Sequence, residues 1–226
     1  MLIVAVVSDR GLAGGFNSNV LRRVEAEIAE AKAQGAQAHV IACGKKAISY
    51  LSFRGIELDM VFKDLSADPT VDEARSIAHR AISGYEAGDY DRVIIIYNHA
   101  KNAAEQQLRV ETILPIDTAS LEATPAQDDD SEAAVASATS GDAIFEPNSD
   151  AVLAGLLPAY VQTCVYHALV DSAAAEQGAR RTAMKSATDN ANEMVETLQR
   201  YYNRVRQGAI TTEINEIVGG AAALEE

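Results

Sequence analysis

Apolar positions along the chain change rhythm near residue 116. Before it they come as short continuous runs separated by stretches with a helical repeat. Leu2 to Val7 is one such run of aliphatic residues, the pattern of a strand buried on both faces. A glycine-rich turn follows. Asn17-Ser18-Asn19 is then placed to cap a helix in which Val20, Leu21, Val24, Ile28 and Ala31 share a face and Gly35 ends the run. His39 to Cys43 reads as a second strand, Lys45 to Phe53 as a short helix closed by Gly55, and Leu58 to Phe62 as a third strand. Pro69-Thr70 opens a helix through Ile77, Ala81 and Ile82 to Gly88. Arg92 to Tyr97, with four β-branched residues at its centre, is the strongest strand signal, and Leu108 to Leu114 alternates like an edge strand. Strands separated by helices predict an α/β fold, a doubly wound Rossmann-like sheet domain over residues 1–116 with helices on both faces.

Beyond that domain the pattern is different. Residues 117–147 are small and acidic, with Asp128-Asp129-Asp130 at their centre and almost no large apolar groups. Such a stretch buries too little surface to offset its ordering entropy, so a flexible acidic loop is expected. Phe145-Glu146-Pro147 ends it, and Asn148-Ser149-Asp150 supplies a cap for a long C-terminal helix over 148–226. Pro158 is expected in a first turn or at a kink. A single helix from Ala159 to Val218 would measure about 90 Å at 1.5 Å per residue. A compact domain of this size is about 30–40 Å across, so the helix is expected to project beyond it.

That helix carries a coiled-coil seam. Met184, Ala187, Ala191, Met194, Leu198, Tyr201 and Val205 alternate three- and four-residue spacings. After Val205 the register skips near Gly208, and Ile210, Ile214, Ile217 and Ala221 resume the rhythm on a rotated face. A seam of this kind calls for a covering helix. Packing inside one globule is the plainer alternative, and length argues against it, because the chain offers no second helix to match.

Charge and composition narrow the function. The chain has 226 residues and a net charge of −14, which argues against nucleic acid as a partner. The C-terminal helix nevertheless carries Arg180, Arg181, Lys185, Arg200, Arg204 and Arg206, either a solvated face or a stripe that meets an acidic partner surface. Cys43 and Cys164 are far apart and in no metal spacing, so reduced thiols are expected, and the four scattered histidines do not suggest zinc. No apolar run is read as approaching the roughly 20 residues of a membrane span. The opening residues are not read as a signal peptide, and a cytosolic chain that meets membrane only through partners is expected.

Two segments carry a family resemblance. SDRGLAGGFNSNV, residues 8–20, is one. EQGARRTAMKSATDNANEM, residues 176–194, continued by YNRVRQGAITTEINEIVGGAAAL, residues 202–224, is the other. Together they closely resemble bacterial gamma subunits of F-type ATP synthases, and the likeness covers nearly the whole chain, weakest in the acidic stretch. The resemblance implies an α/β domain set between two long helices wound as an antiparallel coiled coil, the central rotor shaft of the complex. It implies a non-catalytic subunit with no cofactor, coupling proton flow to ATP synthesis. Its implied partners are the alpha and beta subunits, the epsilon subunit and the ring of c subunits, at the cytoplasmic face of the inner (plasma) membrane. By the same resemblance Arg206, Gln207, Thr211 and Glu213 contact loops of alpha and beta, and Ile214, Ile217 and Val218 run in an apolar bearing. Family members also carry a long helix before the first strand, whereas Met1 here falls on that strand. The seam is therefore expected to lack its intramolecular partner, with self-association of the isolated chain as a consequence.

Two enzyme-like readings compete. Gly11 to Gly15 lies between a strand and a helix, where phosphate-binding loops occur, so a nucleotide-binding α/β domain with a coiled-coil dimerisation helix is the main alternative. The turn matches neither the dinucleotide nor the P-loop pattern, and otherwise its glycines serve a tight turn and close helix–sheet packing. A hydrolase would recruit Ser8, Asp9 and His99, all near strand ends, yet no nucleophile-elbow motif is present.

Overall fold

A computed structural model describes residues 1–102, 104–116 and 148–224 of the chain. The expected acidic loop and the Phe145-Glu146-Pro147 segment lie outside the described residues. The elements run β1 (Leu2–Val6), α1 (Phe16–Ala33), β2 (His39–Cys43), α2 (Lys45–Phe53), β3 (Leu58–Phe62), α3 (Val71–Glu86), β4 (Val93–Ala100), β5 (Gln106–Leu114) and α4 (Ser149–Leu224). The chain divides into two compact units, Met1–Arg181 and Thr182–Glu226.

In the first unit the strands form one sheet in the order β3-β2-β1-β4-β5. The three pairings among β1 to β4 are parallel, and β5 joins β4 antiparallel at one edge of the sheet. This is the doubly wound α/β sheet with a long C-terminal helix that the hydrophobic pattern predicts. The strand period of two divides the core cleanly. Leu2, Val4 and Val6 of β1, with Val93, Ile95 and Tyr97 of β4, face α3 and the first half of α4. Ile3, Ala5 and Val7, with Ile94 and Ile96, face α1 and α2. Val161, Val165, Ala168 and Leu169 of α4 are as buried as the strands they cover. The sheet domain thus closes its core with a helix more than forty residues further along the chain.

Local signals explain most element ends. Thr70 accepts a bond from the Glu73 N–H, and the Glu73 carboxylate accepts from Thr70 in return, a complete capping box at α3. Asn148 Oδ1 accepts the Ala151 N–H at 2.8 Å, satisfying one orphan donor at the start of α4. α1 departs from expectation, because it starts at Phe16 and no side chain caps it. Asn17 sits inside the helix instead, and its Oδ1 accepts from the Ser8 N–H and hydroxyl, each at 2.9 Å. Two glycines are required by close approach. A Cβ at Gly44, where φ is +100°, would lie 2.2 Å from the Val7 carbonyl oxygen, and one at Gly84 would lie 2.1 Å from Tyr90 Cε2. Tyr90 in turn shields the Arg80–Asp59 pair, bonded at 2.7 and 2.9 Å.

One sequence expectation is corrected. By length and composition α4 contains a stretch apolar enough to cross a membrane, with a mean hydropathy of 1.3. Residues 151–170 include no Asp, Glu, Lys or Arg. Part of that apolar character is used in the sheet core, through Val161, Val165, Ala168 and Leu169. Pro158 lies inside α4 rather than in its first turn, leaving the Ala154 carbonyl without its usual helical donor. Cys43 and Cys164 are free thiols, and burial pushes the Cys43 thiol well above its ordinary value, with the Glu73 and Asp9 charges adding to the shift.

Candidate partner interface

From Thr182 to Gly220 the side chains of α4 are exposed, Ala183 alone being partly covered. Nothing in the sequence breaks this stretch of helix: it contains no proline, Gly208 is its one glycine before Gly219-Gly220, and good helix formers such as Ala, Glu and Arg are spread along it. Every seam position is exposed, from Met184, Ala187 and Ala191 through Met194 and Leu198 to Tyr201 and Val205; Leu198 is 59% and Tyr201 65% exposed. Ile210, Ile214, Ile217 and Val218 follow, also exposed. At 3.6 residues per turn the stripe centred on Ile210, Ile214 and Ile217 lies roughly 140° around the helix from the first seam. One helix therefore presents two apolar faces in succession. Arg206, Gln207, Thr211 and Glu213 occupy the stretch where the face changes.

Among the described residues, the polar groups there find few partners. Thr211 donates its hydroxyl hydrogen to the Gln207 carbonyl at 2.8 Å, and Thr212 does the same to Gly208 at 3.0 Å. Thr211 is left with acceptor capacity toward an outside donor. Lower on the helix Arg180 is engaged by Glu176 and by Gln177, and Arg200 reaches Thr197 at 3.4 Å. Arg180 is thus part of the first unit's own packing rather than a free cation.

The enzyme-like candidates are used otherwise. Ser8 donates its hydroxyl hydrogen to the Arg10 carbonyl or to Asn17 Oδ1. Asp9 accepts the N–H groups of Lys45 at 2.9 Å, Asp64 at 3.0 Å and Ser66 at 3.1 Å, and the Ser66 hydroxyl at 2.9 Å. Burial would raise the Asp9 pKa, but these donors outweigh it and hold the carboxyl below the usual range. His99 Nδ1 meets Asp171 Oδ2 at 2.6 Å. The glycine-rich turn folds with Leu12 at φ +67° and Gly14 at +57°, which aims Ala13 and Phe16 into a small buried cluster with Ala175 and Ala179 of α4. The turn is a seat for a helix. The two segments that carry the family resemblance meet at this seat.

A family model described as ATP synthase matches residues 1–224. The ATP synthase gamma chain of Anaeromyxobacter sp. (strain K) is 42% identical over 223 residues, covering 99% of this chain and 72% of that relative. The chain belongs to the ATP synthase gamma family. Among solved structures, the central stalk and c-ring of the Tetrahymena thermophila mitochondrial ATP synthase is similar at a TM-score of 0.59 and 26% identity, over 83% of this chain and 75% of that one. The rotor of the Euglena gracilis mitochondrial ATP synthase shares the fold at a TM-score of 0.63 and 21% identity, over 93% and 74%.

A gamma-family chain is a non-catalytic subunit of the ATP synthase central stalk, so its working parts are surfaces rather than a reaction centre. Sequence reasoning did not mark a further set of exposed apolar side chains. Leu153, Leu156, Leu157, Tyr160 and Val170 are exposed on α4 ahead of the seam. The signal was present, because Leu153, Leu156 and Tyr160 already step by three and four. It was hidden by the buried stripe of Val161, Val165 and Leu169, which makes this part of α4 apolar on two sides.

Proposed function

We propose that this central-stalk subunit turns inside the hexamer of ATP synthase alpha and beta subunits and that residues 182–224 are the part they surround. The observation that carries this reading is the run of exposed apolar side chains from Met184 to Val218, on a helix that buries one face of residues 161–179 in its own domain. Exposed apolar patches of this extent are uncommon on a free monomer and mark an interaction surface. In this reading another helix covers the seam Met184, Ala187, Ala191, Met194, Leu198, Tyr201 and Val205. Ile214, Ile217 and Val218 run against an apolar sleeve as a bearing.

Arg206, Gln207, Thr211 and Glu213 contact loops of the alpha and beta subunits. The planar fork of Arg206 matches a carboxylate on the stationary side. Contacts of this kind transmit torque when they differ between rotary positions, since only a differential interaction shifts a conformational equilibrium. The working parts are the α/β domain 1–116, the acidic segment 117–147 and the shaft 148–226. The α/β domain meets the epsilon subunit and the ring of c subunits, and these partners supply the membrane contact at the cytoplasmic face of the inner (plasma) membrane. Proton-driven rotation of the shaft takes each beta subunit through its conformations, and the shaft itself makes and breaks no bond.

Arg206→Ala tests the assignment. The complex should assemble in normal yield while its rate of proton-driven ATP synthesis falls about fivefold, the consequence of losing roughly 1 kcal/mol from a charge-assisted contact. Unchanged synthesis would remove Arg206 from the torque-bearing set.

A further inference from the structure

The glycine-rich turn is the most distinctive motif of the first unit, and its place in a rotor is set by what it touches. Three consecutive residues at the end of β4 join the turn to α4. Asn98, a buried polar side chain, donates from Nδ2 to the Phe16 carbonyl at 3.0 Å. His99 Nδ1 meets Asp171 Oδ2 at 2.6 Å, and the Ala100 N–H donates to Asp171 Oδ1 at 3.0 Å. One and two turns beyond Asp171, on the same ridge of α4, Ala175 and Ala179 are buried against Ala13 and Phe16.

The two kinds of contact resist different motions. Apolar burial opposes separation but is non-directional, so a helix held by it alone can slip about its own axis. A carboxylate that engages two successive strand residues through both oxygens fixes an angle as well as a distance. Alanine at 175 and 179 lets the turn come close to the helix backbone and backs the polar contact with buried apolar surface.

We propose that Asp171, held by His99 and Ala100 and backed by the Ala13–Phe16 turn on Ala175 and Ala179, is the torsional coupling between the sheet domain and the shaft. It acts as a positioning device, keeping α4 from turning relative to the sheet so that twist delivered to the domain appears further along the helix. The inference rests on the rotor reading above.

The test uses the complete complex reconstituted with the full chain, reading protons pumped per ATP hydrolysed alongside assembly yield and hydrolysis rate. Asp171→Ala should assemble and hydrolyse ATP, with pumping per ATP lowered about threefold by loss of the charge-assisted contact. Asp171→Asn, which keeps an acceptor for the Ala100 N–H, should fall between that variant and the parent. A purely structural role would lower yield or thermal stability and leave the ratio unchanged, and that result overturns the proposal. If Asp171→Ala fails to assemble, the ratio in Asp171→Asn decides, and a value equal to the parent's again overturns it. A parent complex that hydrolyses ATP without pumping would instead contradict the rotor reading itself.

Discussion

The two halves of α4 share a backbone conformation and differ in what their apolar side chains meet. Between residues 161 and 179, Val161, Val165, Ala168, Leu169, Ala175 and Ala179 lie against the sheet or the glycine-rich turn. Between 184 and 218, Met194, Leu198, Tyr201, Val205, Ile214 and Ile217 are exposed. An amphipathic stripe records that a helix will be covered, not which chain covers it. One face of residues 161–179 is claimed by the domain's own strands and turn, and in the proposed reading the second stretch is left for a partner.

Paired substitutions sharpen that contrast. Leu169→Asp places a charge in the sheet core and should cost about 4 kcal/mol or more, unfolding the first unit near room temperature in a denaturant titration. Leu198→Asp, chemically the same change, should leave that transition within about 0.5 kcal/mol and should reduce self-association measured by light scattering. Equal losses from both would break the comparison.

Two glycines give the next largest difference. Gly84→Ala drives a methyl into the Tyr90 ring and should destabilise by about 2 kcal/mol, loosening the Arg80–Asp59 pair beneath it. A Cβ at Gly208 would meet nothing within 4 Å, so Gly208→Ala should raise helix content in circular dichroism, a gain of up to about 1 kcal/mol.

The smallest effect is a pH dependence confined to the first unit. The Asp9 carboxyl titrates below the ordinary range in the folded chain, so its contribution is present above about pH 4 and is lost as pH falls through its lowered value. Asp9→Asn should therefore be less stable than the parent at pH 7, and the difference should shrink at pH 3. A difference that stays constant with pH would show that Asp9 acts through shape rather than charge.

Much of this was legible in the sequence. Helix α2 and strands β2 and β3 begin and end at the residues their hydrophobic pattern marks, because Gly44 and Gly55 punctuate them. The edge position of β5 followed from its alternation. The union of the sheet with residues 161–179 was less legible, since a continuous helical repeat carries no mark of where tertiary contact stops. Asn17 misled for a related reason. Its residue type suits a cap, but the tertiary bond to Ser8 claimed the side chain. The Asp171 junction had no local signal at all, because its partners lie about seventy residues earlier and become neighbours only when β4 and α4 pack.

Amide hydrogen exchange, followed on the isolated chain and again in the assembled ATP synthase, tests the central claim most directly. In the free chain, amides of residues 161–179 should be protected while those of 184–218 exchange rapidly, because a lone helix in water is only marginally stable. On assembly the second stretch should become strongly protected and the first should change little. Strong protection of 184–218 in the monomeric free chain, or none gained on assembly, would contradict the account.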